Sequence, residues 1–290
     1  MRRLARAKPS GRATGQLTAA RRGVDNAGPP MPERLAVEYA AATDVGRKRA
    51  HNEDAYRLVP EDQLFLVADG MGGHNAGEVA SAMAVDIVGQ FFRDARKDPP
   101  VNWPFKQNHD EVHDSETLSI AVQYANLRIF ESARENSDRR GMGTTFVGAL
   151  VRGNAAWVAH VGDSRSYVLR STGPIEPLTT DHSLLEEYRR TRPDLTEEQV
   201  KRFPYKNVIT RALGMKTDVC VEMHRHEMHD GDVIILCCDG LTGMVSDERM
   251  ARIIRASPVL TDACRALVQA ANDAGGTDNI TVILVRTVAK

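Results

Sequence analysis

Between the apolar segments TTFVGALV and AAWVAHVG the chain leaves only Arg152, Gly153 and Asn154. A turn this short joins antiparallel neighbours, because a parallel crossover needs a dozen residues or more. Similar breaks separate DAYRLVP from QLFLVAD, AAWVAHVG from RSYVLR at Asp163-Ser164, and VEMHRHEM from VIILCCDG at Asp230-Gly231. The chain is thereby committed to antiparallel sheets, with RSYVLR expected as the third strand of one meander. The unbroken apolar run VIILCC suits a strand covered on both faces.

Helical periodicity appears in two blocks. After Asn75, which stands three residues before Glu78 with capping-box spacing, Val79, Met83, Ile87 and Phe91 recur beside Ala80, Ala84, Val88 and Phe92. That helix is expected to stop before DPPVNWP, whose prolines forbid continuation. A second helix should start near Asp114 or Ser115, with Leu118, Val122, Ala125 and Ile129 on one face. The later block spans about Ser246 to Ala256 and Thr261 to Ala274, before the closing strand ITVILVR. Residues 181 to 206 interrupt the strands with two short, charged helical pieces, the form of a mobile flap or recognition surface. This order predicts an α+β fold of two packed antiparallel sheets with a helical layer outside each.

Residues 1–32 read as a disordered basic tail, rich in Arg, Ala, Gly and Pro without hydrophobic periodicity. A solvated tail, an upstream start with Met31 as the true beginning, and a basic anchor for an acidic surface are three readings left open. The tail holds Arg2, Arg3, Arg6, Lys8, Arg12, Arg21 and Arg22 against Asp25 alone. Of the 38 basic and 39 acidic residues, 31 and 38 remain beyond Pro32, a formal charge of −7. Residues 33–290 are therefore expected to form one acidic domain, which argues against nucleic-acid binding and is compatible with a cation site. Cys220, Cys237, Cys238 and Cys264 show no CxxC pairing. With no run of 18 apolar residues and no secretory segment, a cytoplasmic protein without a membrane span is expected.

The segment LFLVADGMGGHNAGEVAS delivers Asp69 to the expected end of a buried strand, followed by Gly70, Gly72 and Gly73, which let the chain turn. Asp239 likewise ends VIILCC, Asp163 follows AHVG, Asp278 precedes NITVILV, and Glu53 and Asp54 precede a strand. Each acid alone is an ordinary turn former. Six of them at strand mouths point instead to one cleft, where carboxylates repel unless a cation neutralises them; all-oxygen sites of this kind suit Mg²⁺ or Mn²⁺. Two such ions roughly 3.5 to 4 Å apart can lower the pKa of a bridging water towards about 7 and clamp phosphoryl oxygens. Arg49 is either a surface charge or the fork that binds the anion.

The motifs RKRAHNEDA, LFLVADGMGGHNAGEVAS, GMGTTFVGAL, VAHVGDSRSYVLR, LTTDHS, NVITRALG, LCCDGLTGMVSDE and GGTDNITVILV stand in this order. Together they resemble the metal-dependent serine/threonine phosphatases of the PP2C (PPM) family in their bacterial form, over about Leu35 to Val288. The resemblance implies a four-layer αββα sandwich with a binuclear Mn²⁺ or Mg²⁺ centre. It implies that Asp69 bridges both metals, that the Gly70 carbonyl binds one, and that Asp239 and Asp278 hold the other. Glu53 and Asp54 would bind directly or through waters, Arg49 would grip the substrate phosphate, and Asn279 would orient Asp278. Asp163, with Asp239, resembles the ligand of a third, weaker metal, but Gly243 stands where many relatives carry a further acid. Met71 stands where eukaryotic relatives carry a histidine acid; His74 and His182 are read as structural.

The implied activity is hydrolysis of phosphoserine and phosphothreonine by a metal-bridging hydroxide. Phosphoprotein substrates, an opposing Ser/Thr kinase and a monomeric state are the implied partners. Two alternatives stand beside it: a catalytically inactive PP2C-like binding module, disfavoured by the converging acids, and another two-metal hydrolase such as a nuclease or phosphodiesterase, disfavoured by the acidic charge.

Overall fold

The computed structural model describes residues 35–72, 76–95, 114–192 and 194–289. The expected tail, the DPPVNWP loop, Gly73, His74 and the Asn75 cap lie outside the described residues. Eleven strands are present among them: β1 (Ala36–Asp44), β2 (Asp54–Val59), β3 (Leu64–Met71), β4 (Gly143–Thr144), β5 (Phe146–Arg152), β6 (Ala155–Val161), β7 (Arg165–Leu169), β8 (Ile175–Pro177), β9 (Glu222–Glu227), β10 (Val233–Cys237) and β11 (Ile280–Val288). The helices are α1 (Ala76–Ala95), α2 (Asp114–Glu135), α3 (Leu184–Thr191), α4 (Glu197–Lys201), α5 (Asp239–Thr242), α6 (Asp247–Ala256) and α7 (Leu260–Asp273).

The strands form two antiparallel sheets. One runs β1-β11-β10-β7-β8; the other runs β2-β3-β5-β6-β9, with β4 paired to β3 beyond the end of β5. Side chains alternate across each strand, so a strand buried on both faces contributes to two cores. On β3, Leu64, Leu66 and Ala68 face the α1–α2 layer, whereas Phe65 and Val67 enter the core between the sheets. On β10, Val233, Ile235 and Cys237 pack towards α6 and α7, whereas Ile234 and Leu236 meet the opposite sheet. Three apolar cores therefore separate four layers, as the αββα expectation required. Burying one such aliphatic side chain stabilises the fold by about 1.5–3 kcal/mol, so this alternation fixes which face each acid can reach.

Two local expectations differ. RSYVLR does not continue the meander: β5 and β6 pair, but β7 belongs to the other sheet, between β10 and β8. The chain crosses between sheets at residues 162–164, which sets Asp163 over the gap separating them. Nor does β3 end on Asp69, since Gly70 and Met71 extend it and pair with Thr144 and Gly143. Gly70 does not have a positive φ; it is needed because a Cβ there would lie 2.1 Å from the Gly77 carbonyl oxygen of α1.

Candidate active site

At one end of the sandwich the inter-sheet core turns polar. The inward positions that carry Phe65 and Val67 continue to Asp69; those of Ile283 and Val285 lead back to Thr281; those of Ile234 and Leu236 lead on to Cys238. Strand parity alone thus brings Asp69 into the gap. Asp54 stands directly opposite Asp69 in the β2–β3 register. Asp239 opens α5 immediately after β10, and Asp278 precedes β11.

A cleft of about 360 Å³ is lined by Arg49, Glu53, Asp69, Gly70, Asp163, Asp239 and Asp278, with Met71, Thr145, Asn207 and Ile209. Seven of the eight expected site residues meet there, and Asp54 lies beneath, close to Asp69 and Cys238. A second basin shares Asp163, Asp239 and Asp278 and adds Arg165, Asp181, Lys206 and Gly243. Gly243 offers no side-chain donor to this basin, and Met71 offers none to the first.

Electrostatics in the cleft follow from burial. Burial, reinforced by the charges of Asp54, Asp239, Asp163 and Asp278, pushes Asp69 well above the ordinary carboxylate range. Asp54 is pushed up to about 6, chiefly by burial and against a hydrogen bond from Thr281. Burial, then Asp239 and Asp181, push Asp163 up to about 7. Burial and Asp278 raise Asp239, and burial also raises Glu53, against the Arg49 charge. Asp54 Oδ1 is buried without a hydrogen-bond partner among the described residues. Carboxylates packed this way and an orphaned carboxylate oxygen fit divalent hard cations, which take oxygen donors. Cys238 is not a competing anion, because burial holds its thiol well above its ordinary range; Sγ donates to the Asn279 carbonyl at 3.3 Å and accepts from Thr281 N at 3.1 Å.

The surrounding chain holds these acids still. Asp69 N donates to Thr145 Oγ1 at 3.0 Å, and the Asp69 carbonyl accepts from Thr145 N and Thr144 Oγ1, each at 2.9 Å. Arg49 Nη2 donates to Asp278 Oδ2 at 2.7 Å, leaving the guanidinium half exposed at the cleft mouth. Asn279 contacts Asp278, and it does so through its backbone. Its backbone N–H donates to Asp278 Oδ1, but its side chain fastens the 45–53 loop through Val45 O, His51 O and Glu53 N. Thr145 and Thr281 were not singled out from the sequence and Cys238 was not read as a site residue, although a threonine inside the apolar run ITVILV is a visible signal.

His182, read from the sequence as structural, is buried and does not line the cleft. Its Nδ1 accepts from Gly162 N at 3.1 Å, so neutral imidazole carries its proton on Nε2, which lies 3.1 Å from Glu222 Oε2. The neighbouring His160, His182 and Glu222 could group around an ion, but this tautomer and the Arg211 guanidinium 3.1 Å from Nε2 disfavour a cation there.

Fold and cleft define the class: an αββα sandwich whose acid-lined end suits divalent cations beside an anion-binding arginine. The family model described as Protein phosphatase 2C matches residues 45–280, and the chain belongs to that family. It is 38% identical over 247 residues to the serine/threonine phosphatase stp of Listeria innocua, covering 84% of this chain and 93% of that protein. The Mycobacterium tuberculosis serine/threonine phosphatase PstP/Ppp superposes with a TM-score of 0.74 at 31% identity, covering 88% of this chain and 100% of that one. A PstP catalytic domain in complex with two manganese ions gives a TM-score of 0.73 at 32% identity, covering 88% and 99%.

Proposed function

We propose that this chain is a metal-dependent protein phosphatase that hydrolyses phosphoserine and phosphothreonine. The observation that carries the reading is Arg49, held by Asp278 at the mouth of a cleft into which Glu53, Asp69, Asp163 and Asp239 also open. Asp69, the Gly70 carbonyl, Asp239 and Asp278 would hold two Mn²⁺ or Mg²⁺ ions, with Glu53 and Asp54 completing the set and Asp163 serving a weaker third site. When bound, such ions supply Lewis acidity and an activated water at neutral pH. The protein's own residues do the rest. Arg49 presents a planar fork to the phosphoryl oxygens and Asp278 fixes its aim. The threonine contacts to the Asp69 backbone fix the point on β3 from which its carboxylate projects, and a fixed starting geometry favours reaction over a mobile one.

The relatives support serine/threonine phosphatase activity, and the acidic cleft supports it over a nucleic-acid substrate. Phosphoproteins are the proposed substrates, an opposing Ser/Thr kinase the proposed partner, and a cytoplasmic monomer the proposed form. Residues 33–290 are the proposed catalytic domain, with 1–32 as a tail outside it. No helix among the described residues is long and apolar enough to cross a membrane.

The test is hydrolysis of a phosphothreonine peptide with Mn²⁺ and with EDTA. Activity should require the metal and be lost in Asp69→Asn and Asp239→Asn, both folded by circular dichroism. Turnover in EDTA would overturn the reading. No turnover by the wild type under any metal would favour the inactive module.

A further inference from the structure

Asp54 is held by a closed circuit of hydrogen bonds. Thr281 Oγ1 donates to Asp54 Oδ2 at 2.6 Å. Thr281 Oγ1 and Thr43 Oγ1 lie 2.7 Å apart, and Asn52 Nδ2 donates to Thr43 Oγ1 at 2.8 Å. Asp54 N closes the ring by donating to Asn52 Oδ1 at 3.2 Å.

The direction of every proton follows from the donor inventory. A hydroxyl has one proton, and an ionised carboxylate only accepts. Thr281 therefore directs its proton to Asp54, so its oxygen must accept from Thr43. Thr43, its own proton engaged, accepts from the Asn52 amide. The Asn52 carbonyl oxygen is set by the Asp54 backbone N–H, so the amide cannot flip without breaking two bonds.

The circuit also ties the two sheets. Asp54 opens β2 in one sheet, whereas Thr43 and Thr281 face each other across the β1–β11 ladder of the other. Thr281 is fully buried beside the apolar run Val282–Val285 of β11. Burial of a hydroxyl there costs free energy unless both its roles are filled, and valine would fit the same space. One carboxylate oxygen of Asp54 is thus engaged, while Oδ1 is buried without a hydrogen-bond partner among the described residues.

We propose that Thr281, Thr43 and Asn52 are positioning residues that bind Asp54 Oδ2 and so present Oδ1 to a divalent cation. The proposal rests on the metal-dependent reading of this cleft. Outer-shell partners of ligands typically change metal affinity by about 10- to 100-fold, and residues acting in one chain are non-additive.

The experiment is calorimetric titration of Mn²⁺ into the full-length protein, with metal-free melting in EDTA as a check on folding. Thr281→Val should weaken Mn²⁺ binding by about tenfold or more, and Thr281→Ser should restore it. Thr43→Val should weaken it too, and the double variant should bind no worse than Thr281→Val alone. Should Thr281→Val fail to fold, Thr43→Val carries the test, since Thr43 is exposed. Wild-type affinity in the folded valine variants, or independent additive losses, overturns the circuit while leaving the metal reading intact. A wild type that binds no Mn²⁺ overturns both.

Discussion

Asp54 and Asp69 face each other directly across the β2–β3 ladder. Like charges at opposed positions are destabilising, and here burial raises both groups; the Asp54 charge adds to the rise at Asp69, and the charges of Asp239 and Asp278 add to that at Asp54. The sheet carries this conflict at its polar end, where a cation would relieve it. Asp54→Asn removes one charge and keeps an acceptor for Thr281. The metal-free variant should therefore be more stable than the wild type by about 1 kcal/mol, while the rise in Tm on adding Mn²⁺ should shrink. Scanning calorimetry with EDTA and with Mn²⁺ reads both quantities.

Arg49 reaches across the cleft mouth to Asp278. A hydrogen bond to a charged group is worth about 1.5–3 kcal/mol, so Arg49→Ala should lower kcat/KM for a phosphopeptide by about 10- to 100-fold. Lysine keeps the charge but loses the fork, and Arg49→Lys should recover only part of that loss. Steady-state kinetics on the three proteins decides it; equal activity of the alanine variant would remove Arg49 from phosphate binding.

His182 gives a pH dependence away from the acid cluster. Burial pushes it down to about 4; Glu222 opposes that shift, and His160 and Arg211 add to it. Because the folded value lies below the unfolded value of about 6.5, the unfolded chain binds more protons between these limits. Stability from this group is complete above pH 6.5 and is lost as pH falls towards about 4, by about 3 kcal/mol in all. Burial pushes Glu222 up, but hydrogen bonds from His224 and His182 outweigh it and hold it at about 2, so Glu222 still accepts throughout this window. Urea unfolding of the wild type and His182→Gln across the window should show a shallower slope for the variant.

Much of this was legible in the chain because periodicity and strand-end acids are local signals. The stripes Leu118, Val122, Ala125, Ile129 and the run VIILCC follow from spacing alone, and both are buried as read. What local signals missed depends on partners distant in sequence. A short turn at Asp163-Ser164 serves equally as a hairpin or as a passage between sheets, and only the pairing of β7 with β10 separates them. Helix α5 is four residues long, too short to show a period. The need for Gly70 comes from α1 packing on β3 rather than from a turn. Thr281 meets Asp54 across 227 residues of chain, and no window of sequence contains both.

The 181–206 insertion supplies the last prediction. Its stem is fixed beside the cleft, since Arg165 Nε and Nη2 each bond the Asp181 carboxylate at 2.7 Å, and Ser183 caps α3. Beyond the stem, Tyr188 and Phe203 stack with ring centroids 5.2 Å apart, and Tyr205, 58% exposed, stands edge-on to Phe203. Rigid aromatic side chains with one open face suit the flanks of a peptide rather than a bare phosphate ester. Truncating such a contact costs more than about 1 kcal/mol, so Tyr205→Ala should lower kcat/KM for phosphothreonine peptides by about tenfold. Hydrolysis of p-nitrophenyl phosphate, which has no flanking residues, should be unchanged in the same protein. Parallel kinetics on the two substrates separates the outcomes: equal losses on both would mean that the insertion supports the cleft itself, and no loss on either would remove Tyr205 from substrate selection.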